Sequence, residues 1–221
     1  MSEELWANVD QYIADHLLPH DAIMEAALAE MAAAGLPEIS VSPPHGKMLM
    51  LLAQIQRARL ILEIGTLGGY STIWLGRALP AEGRLITLEY NPKHAEVAKR
   101  NIARAGLANL VELRLGPALE TLPQLVAENH GAFDMIFIDA DKQNYPQYIK
   151  WAMKLSRPGT LLVIDNLIRK GAIIEPANND PLVQGARSSY ELLAREAALE
   201  TTVIQTVGSK GYDGFALALV K

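Results

Sequence analysis

LILEIGTLGGYSTIWLGRALPAEGRLITLE, residues 60–89, decides how the chain is read. Residues 60–64 make a short apolar run interrupted by one carboxylate, a glycine-rich turn follows, 69–79 has helical spacing, and a second apolar run closes in Glu89. Neither run alternates polar with apolar residues as a strand with one wet face would, so both read as strands covered on both faces. Strand, helix and strand of this kind make a βαβ unit, and such units build parallel sheets.

The pattern continues downstream. A helix over 92–105 leads to LVELRLG, a helix over 117–128 to FDMIFID, and a helix over 144–155 to TLLVID; a long polar loop and a helix over 182–197 follow. TTVIQTV and GFALALV are separated only by GSKGYD, which predicts an antiparallel hairpin on the sheet edge. The expected fold is α/β: a doubly wound, mostly parallel sheet of seven strands with a C-terminal antiparallel hairpin. Residues 1–57 form an N-terminal helical appendage, with Pro19 and Gly35-Leu36-Pro37 as breaks and SVSPPHG as a joint before KMLMLLAQIQRA. These helices lack a core of their own and are expected to pack on the main domain or on a second subunit. The chain of 221 residues is read as one domain, 1–221, whose α/β core spans 58–221.

Composition narrows the function. With no cysteine, disulfides, thiolate metal sites and a nucleophilic cysteine are excluded. A net charge of -5 provides no basic stripe for nucleic acid or an anionic membrane surface, so a small-molecule partner fits better. The acidic N-terminus has neither a basic segment nor an uninterrupted apolar one, which argues against a signal peptide or membrane span and for a cytoplasmic protein. His16 and His20 lack a third ligand, Trp6, Trp74 and Trp151 read as packing residues, and no serine sits in a G-x-S-x-G setting.

Ligands of open parallel sheets bind at the carboxyl ends of the strands, where strand order reverses. Polar residues interrupt the apolar runs at those ends. Glu63 precedes glycines 65, 68 and 69, which let a ligand approach the backbone, and Glu89 can accept both hydroxyls of a ribose. GTLGGY does not fit G-x-G-x-x-G, and carboxylates near the turn oppose a pyrophosphate, so a cationic, phosphate-free nucleoside, S-adenosylmethionine (SAM), fits better than a nicotinamide dinucleotide. The bland alternative, two solvated glutamates where strands emerge, explains either one but not the pair. On neighbouring strands, Asp139, Asp165 and Asn166 would present oxygen atoms to a hard cation, Mg²⁺ first, with Mn²⁺ or Ca²⁺ as alternatives. Their bland role is capping, and Asp141 is the expected cap within Asp139-Ala140-Asp141.

EIGTLGGYS, the strand end at Glu89, GPAL, FIDADKQNY and VIDN together resemble the cation-dependent class I O-methyltransferases similar to caffeoyl-coenzyme A and catechol O-methyltransferases, in the family's order and over residues from about 40 to the C-terminus. The resemblance implies a Rossmann-like methyltransferase fold with Val41, Glu63, Gly65, Thr66, Ser71, Glu89, Ala118 and Asp139 at the SAM site. It further implies Asp139, Asp165 and Asn166 as metal ligands, Lys142 as general base, catalytic participation of Asp139, and a homodimer closed by the N-terminal helices. Pro117 stands where many members have aspartate, Arg169 where plant members carry an aromatic residue packed on the substrate, and 172–190 matches loosely.

The expected reaction is methylation of a phenolic, catechol-like vicinal diol of caffeoyl or flavonoid type, with Tyr145, Tyr212 and Asp213 near the substrate. One alternative keeps the chemistry and takes 5-hydroxyuridine in transfer RNA, with Arg169, Lys170, Arg187 and Arg195 as a local basic patch. Another is a nucleoside-binding module without catalysis, which would have no need of Lys142 beside a cation site; without the resemblance, Lys142 reads as a surface lysine paired with Asp141.

Overall fold

The computed structural model describes residues 2–221. Seven strands, β1 (Leu60–Ile64), β2 (Arg84–Glu89), β3 (Val111–Leu115), β4 (Met135–Ile138), β5 (Leu161–Ile164), β6 (Leu199–Gly208) and β7 (Gly211–Val220), form a single sheet. Its order is β3-β2-β1-β4-β5-β7-β6. The first five strands run parallel; β7 joins β5 antiparallel and carries β6 at the edge. The hairpin is longer than the sequence suggests. Pairing runs to Gly208 opposite Gly211, which leaves Ser209 and Lys210 as the turn, because β-branched threonine, valine and isoleucine favour extended backbone to the end of β6.

Among the described residues eight α-helices surround the sheet: α1 (Glu3–Leu17), α2 (Ala22–Ala33), α3 (Pro43–Ile55), α4 (Tyr70–Gly76), α5 (Pro92–Arg104), α6 (Ala118–Glu128), α7 (Tyr145–Lys154) and α8 (Pro181–Arg195). Alternating strand residues face two separate cores. Leu62, Ile64, Ile136 and Ile138 meet α6, α7 and α8, whereas Ile61, Met135 and Phe137 meet α2, α3, α4 and α5. Met24, Ala27 and Met31 of α2 and Leu49 and Ala53 of α3 are buried in the second core, so these helices pack on the sheet of their own chain. α1 buries no residue; Asp10 accepts hydrogen bonds from the Ser209 amide and hydroxyl, fastening it to the hairpin turn.

One boundary departs from expectation. SVSPPHG is not a joint throughout: Ser42 caps α3, accepting from the His45 amide, and Pro43 and Pro44 form its first turn. Proline is at home there, because the first helical N–H groups have no partner within the helix to lose. Among the described residues no helix is long and apolar enough to cross a membrane.

Candidate active site

The order β3-β2-β1-β4-β5 reverses direction between β1 and β4, and a cavity of about 820 Å³ opens there at the carboxyl ends of the strands. Gly65 is what allows the two strand ends to close up. Its φ is 101°, and a Cβ on it would lie 2.0 Å from the Asp139 carbonyl oxygen. Val41, Gly65, Thr66, Ser71, Glu89, Ala118, Asp139, Lys142 and Asn166 all line this cavity, whereas Glu63 and Asp165 lie behind its wall.

On the β1–β2 side the carboxylates are fully engaged. One Glu89 oxygen accepts from the backbone amides of Thr66 at 3.3 Å and Leu67 at 2.7 Å, and the other accepts from the Asn91 amide at 2.8 Å. These bonds hold the glycine-rich turn, including Leu67 in a left-handed conformation (φ 50°). A carboxylate has about four acceptor positions, so Glu89 keeps capacity for a ligand hydroxyl. Glu63 is fully enclosed and accepts from the hydroxyls of Ser71 at 2.6 Å, Thr87 at 2.7 Å and Thr72. Burial pushes its carboxyl up to about 7, against the pull of those three hydroxyls and with a smaller push from Asp139. Glu63 therefore connects to the cavity through Ser71.

The β4–β5 side is different. Pairing of Ile138 with Ile164 places Asp139 and Asp165 on adjacent strand ends. Asp139 accepts from Lys142 Nζ at 2.7 Å, so Lys142 pairs with Asp139 and not with Asp141. Asp165 accepts only from the amide of Asn166, the next residue, at 2.8 Å. Burial, and then the charge of Asp139, hold its carboxyl well above the ordinary carboxylate range. Nearby, the Tyr145 hydroxyl is buried without a hydrogen-bond partner. Asn166 reaches the cavity with a left-handed backbone (φ 57°).

Lys142 lies on a 3-10 turn, Lys142–Asn144, backed by α8: a Cβ on Gly185 would lie 2.1 Å from the Lys142 carbonyl oxygen. Asp141 caps no backbone amide. With ψ at 115° its side chain turns instead toward α7, where it accepts from Tyr148 Oη at 2.5 Å and from Asn144 Nδ2.

Asp139, Asp165 and Asn166 offer two carboxylates and one amide oxygen, and no cluster of three or more His, Asp or Glu side chains that could hold a metal occurs among the described residues. This all-oxygen set, with a carboxyl raised by burial and then by its neighbour and a stranded hydroxyl beside it, fits a hard divalent cation better than a softer metal.

Two tyrosines expected near the substrate do not line the cavity. Tyr145 is fully buried in the core beneath it, and Tyr212 bonds Gln205 on the hairpin. Tyr70, Tyr90 and Tyr148 line it instead, together with His94, whose Nδ1 is 3.5 Å from Glu89. Tyr90 and His94 directly follow the acidic end of β2, and that position was the available signal for them. Pro117 and Arg169 also face the cavity; Asp213 accepts from the amides of Ile168 and Arg169, both at 2.9 Å, and so shapes the wall from behind.

Residues 15–219 match the family model described as O-methyltransferase. The chain is 55% identical over 221 residues to a catechol O-methyltransferase of Niastella koreensis, with all of both chains covered. Its fold superposes at a TM-score of 0.98 on an O-methyltransferase from Bacillus cereus in complex with SAH, 56% identical with both chains fully covered. A TM-score of 0.97 relates it to the O-methyltransferase TomG of Streptomyces achromogenes, involved in tomaymycin synthesis and solved with SAM, at 48% identity over 100% of this chain and 99% of that one.

Proposed function

The chain belongs to the O-methyltransferase family, and from that premise we propose that it moves the methyl group of SAM to one hydroxyl of a catechol-like vicinal diol, with the help of a divalent cation. One observation carries this reading: a single cavity joins Glu89 at the end of β2 to Asp139, Lys142 and Asn166 at the ends of β4 and β5. A nucleoside-binding module without catalysis would use only the first half.

Glu89 would hold the ribose, Gly65 and Thr66 the backbone side of the nucleoside, and Ala118 and Val41 the flanking walls. Ser71, tied to Glu63, would face the methionine end, whose positive charge suits the surrounding carboxylates. SAM supplies the methyl group on a sulfonium. Asp139, Asp165 and Asn166 would hold the cation, Mg²⁺ by preference for an all-oxygen set. Such a cation would supply positive charge that stabilises a developing phenolate and lowers the pKa of a hydroxyl by several units.

An isolated phenol has a pKa near ~10, so about one molecule in a thousand is ionised at pH 7 and a proton must be managed in the site. Lys142 is placed for that task. It is largely enclosed and bonded to Asp139, so in this reading it holds or receives the acceptor proton while Asp139 fixes its position. The cavity walls bring acceptor and methyl donor together, and positioning supplies much of the remaining acceleration.

The transfer RNA alternative gains little. Arg187 is occupied by the backbone carbonyls of Ala172, Ile173, Glu175 and Asn178, and Arg169 faces the cavity, so the four basic residues do not form an open patch. The proposed reading also includes one domain over the whole chain, supported by the shared core of α2, α3 and the sheet, and a cytoplasmic location, in keeping with the absence of cysteine. It includes a homodimer too, for which Leu5, Val9, Tyr12 and Leu17 on α1 provide exposed apolar surface.

The test is methyl transfer from SAM to a catechol panel with Mg²⁺ or EDTA, followed by mass spectrometry. Transfer that EDTA abolishes and Mg²⁺ restores is expected. Transfer indifferent to EDTA removes the cation, cofactor binding without transfer removes the catechol acceptor, and absence of cofactor binding removes the SAM assignment.

A further inference from the structure

Arg169 differs from the other arginines at this end of the molecule. It lines the same cavity as Asp139 and Asn166, its side chain is only 24% exposed, and its Nε is buried with no hydrogen-bond partner among the described residues. Its one ion pair among the described residues is with Asp213, with Nη1 at 3.8 Å from Oδ2, beyond hydrogen-bond range. The other Asp213 oxygen already serves the amides of Ile168, Arg169 and Gly214. Arg187 has all three of its side-chain nitrogens on backbone carbonyls, and Arg114 is held by Glu112 and Glu128.

The backbone is bent to present this group. Arg169 and Lys170 both have left-handed conformations, φ 52° and 55°, which are disfavoured for residues with a side chain. Asp213 fixes that turn by accepting two of its amides. Backbone strain and an unpaired buried donor are each unfavourable, and a ligand that pairs with the guanidinium offsets both. The matching partner of a planar fork of N–H groups is a carboxylate or similarly shaped oxyanion, bound by two parallel hydrogen bonds.

We propose that Arg169 recognises an anionic group on the methyl acceptor, so that the preferred substrates are catechols bearing a free carboxylate rather than their neutral esters. The inference rests on the catechol reading above and deepens it. The diol end of the acceptor lies toward Asp139 and Asn166, and the acid end toward Arg169. In thioester acceptors of the caffeoyl-coenzyme A kind the same position is a neutral thioester.

The experiment compares caffeic acid with its methyl ester, and 3,4-dihydroxybenzoic acid with its methyl ester, so that each pair differs only in the charge of the terminal group. The wild type should favour the acid in kcat/KM by about tenfold or more in at least one pair. Arg169→Met should bring that ratio to within about threefold of unity, and Arg169→Lys, which keeps the charge without the fork, should fall between. A wild type without acid preference, or a preference that persists in Arg169→Met, overturns the proposal. If the wild type methylates neither compound, the catechol-acceptor reading fails, and calorimetric titration of the same pairs with Mg²⁺ and SAH present decides the role of Arg169. Tenfold weaker acid binding in Arg169→Met upholds it; equal acid binding by both proteins overturns it.

Discussion

The two halves of the cavity are built from the same materials and finished differently. At the ends of β1 and β2, Glu63 and Glu89 accept six hydrogen bonds between them, three from hydroxyls and three from backbone amides. At the ends of β4 and β5, Asp139 has one lysine, Asp165 has the amide of its own neighbour, and the Tyr145 hydroxyl has none. In the first half Glu89 shapes a loop, Glu63 is enclosed by three hydroxyls, and the ligand uses what capacity Glu89 retains. The second half holds two carboxylates at a cost to the fold, since bringing like charges together in a buried place raises the proton affinity of one of them. Carboxylates that stabilise a loop and carboxylates that await a counter-charge should respond in opposite ways when neutralised.

Lys142→Ala gives the largest expected effect: kcat falls by about 10²- to 10⁴-fold, in the range for loss of a general acid–base group, while cofactor affinity measured by calorimetry changes little. Unchanged kcat would remove Lys142 from the proton path. Asp165→Asn comes next and separates the two halves most sharply. Turnover should drop by about a hundredfold or more, yet the melting temperature without added metal should hold or rise, because the substitution relieves repulsion with Asp139. A clear loss of stability would mean that Asp165 is as well satisfied as Glu89.

Glu89→Gln should do the reverse. Cofactor affinity falls about tenfold or more, and stability drops by about 1–3 kcal/mol as amide donors of the loop lose their charged acceptor. Stability without change would make the loop independent of Glu89.

Stability should also depend on pH. Glu63 titrates near 7 in the folded protein against an ordinary 4.5, so the folded state binds the extra proton between those values. Stability therefore decreases as pH rises from about 4.5 to 7 and levels off above, by an amount on the order of 2 kcal/mol. Denaturant titrations of Glu63→Gln at pH 5 and pH 8 should show that part of the slope gone.

Much of this comparison was legible in the sequence. Buried strands are continuous apolar runs, so the carboxylates that end them stand out, and the βαβ rhythm places all four at one edge of the sheet. Periodicity does not say how a side chain at a strand end is met. Glu63 and Glu89 look equivalent in LILE and LITLE, yet Glu63 shares a sheet face with Thr87 and is sealed by α4, whereas Glu89 opens to the cavity. Tyr145 follows Lys142 closely but starts a helix whose first residue turns into the core. Pro43 and Pro44 read as a break because proline ends helices more visibly than it begins them. The left-handed turn that carries Arg169 is held by Asp213, 44 residues away in sequence, whose reach no local pattern records.

The most direct test of the contrast is the effect of Mg²⁺ on the melting temperature of the wild type and of Asp165→Asn, each with SAM present. A cation that binds only the folded protein raises its stability in proportion to the logarithm of its concentration. The wild type should melt progressively higher as Mg²⁺ is added, and Asp165→Asn should not respond. Equal responses, or none in the wild type, would contradict a cation site at the ends of β4 and β5.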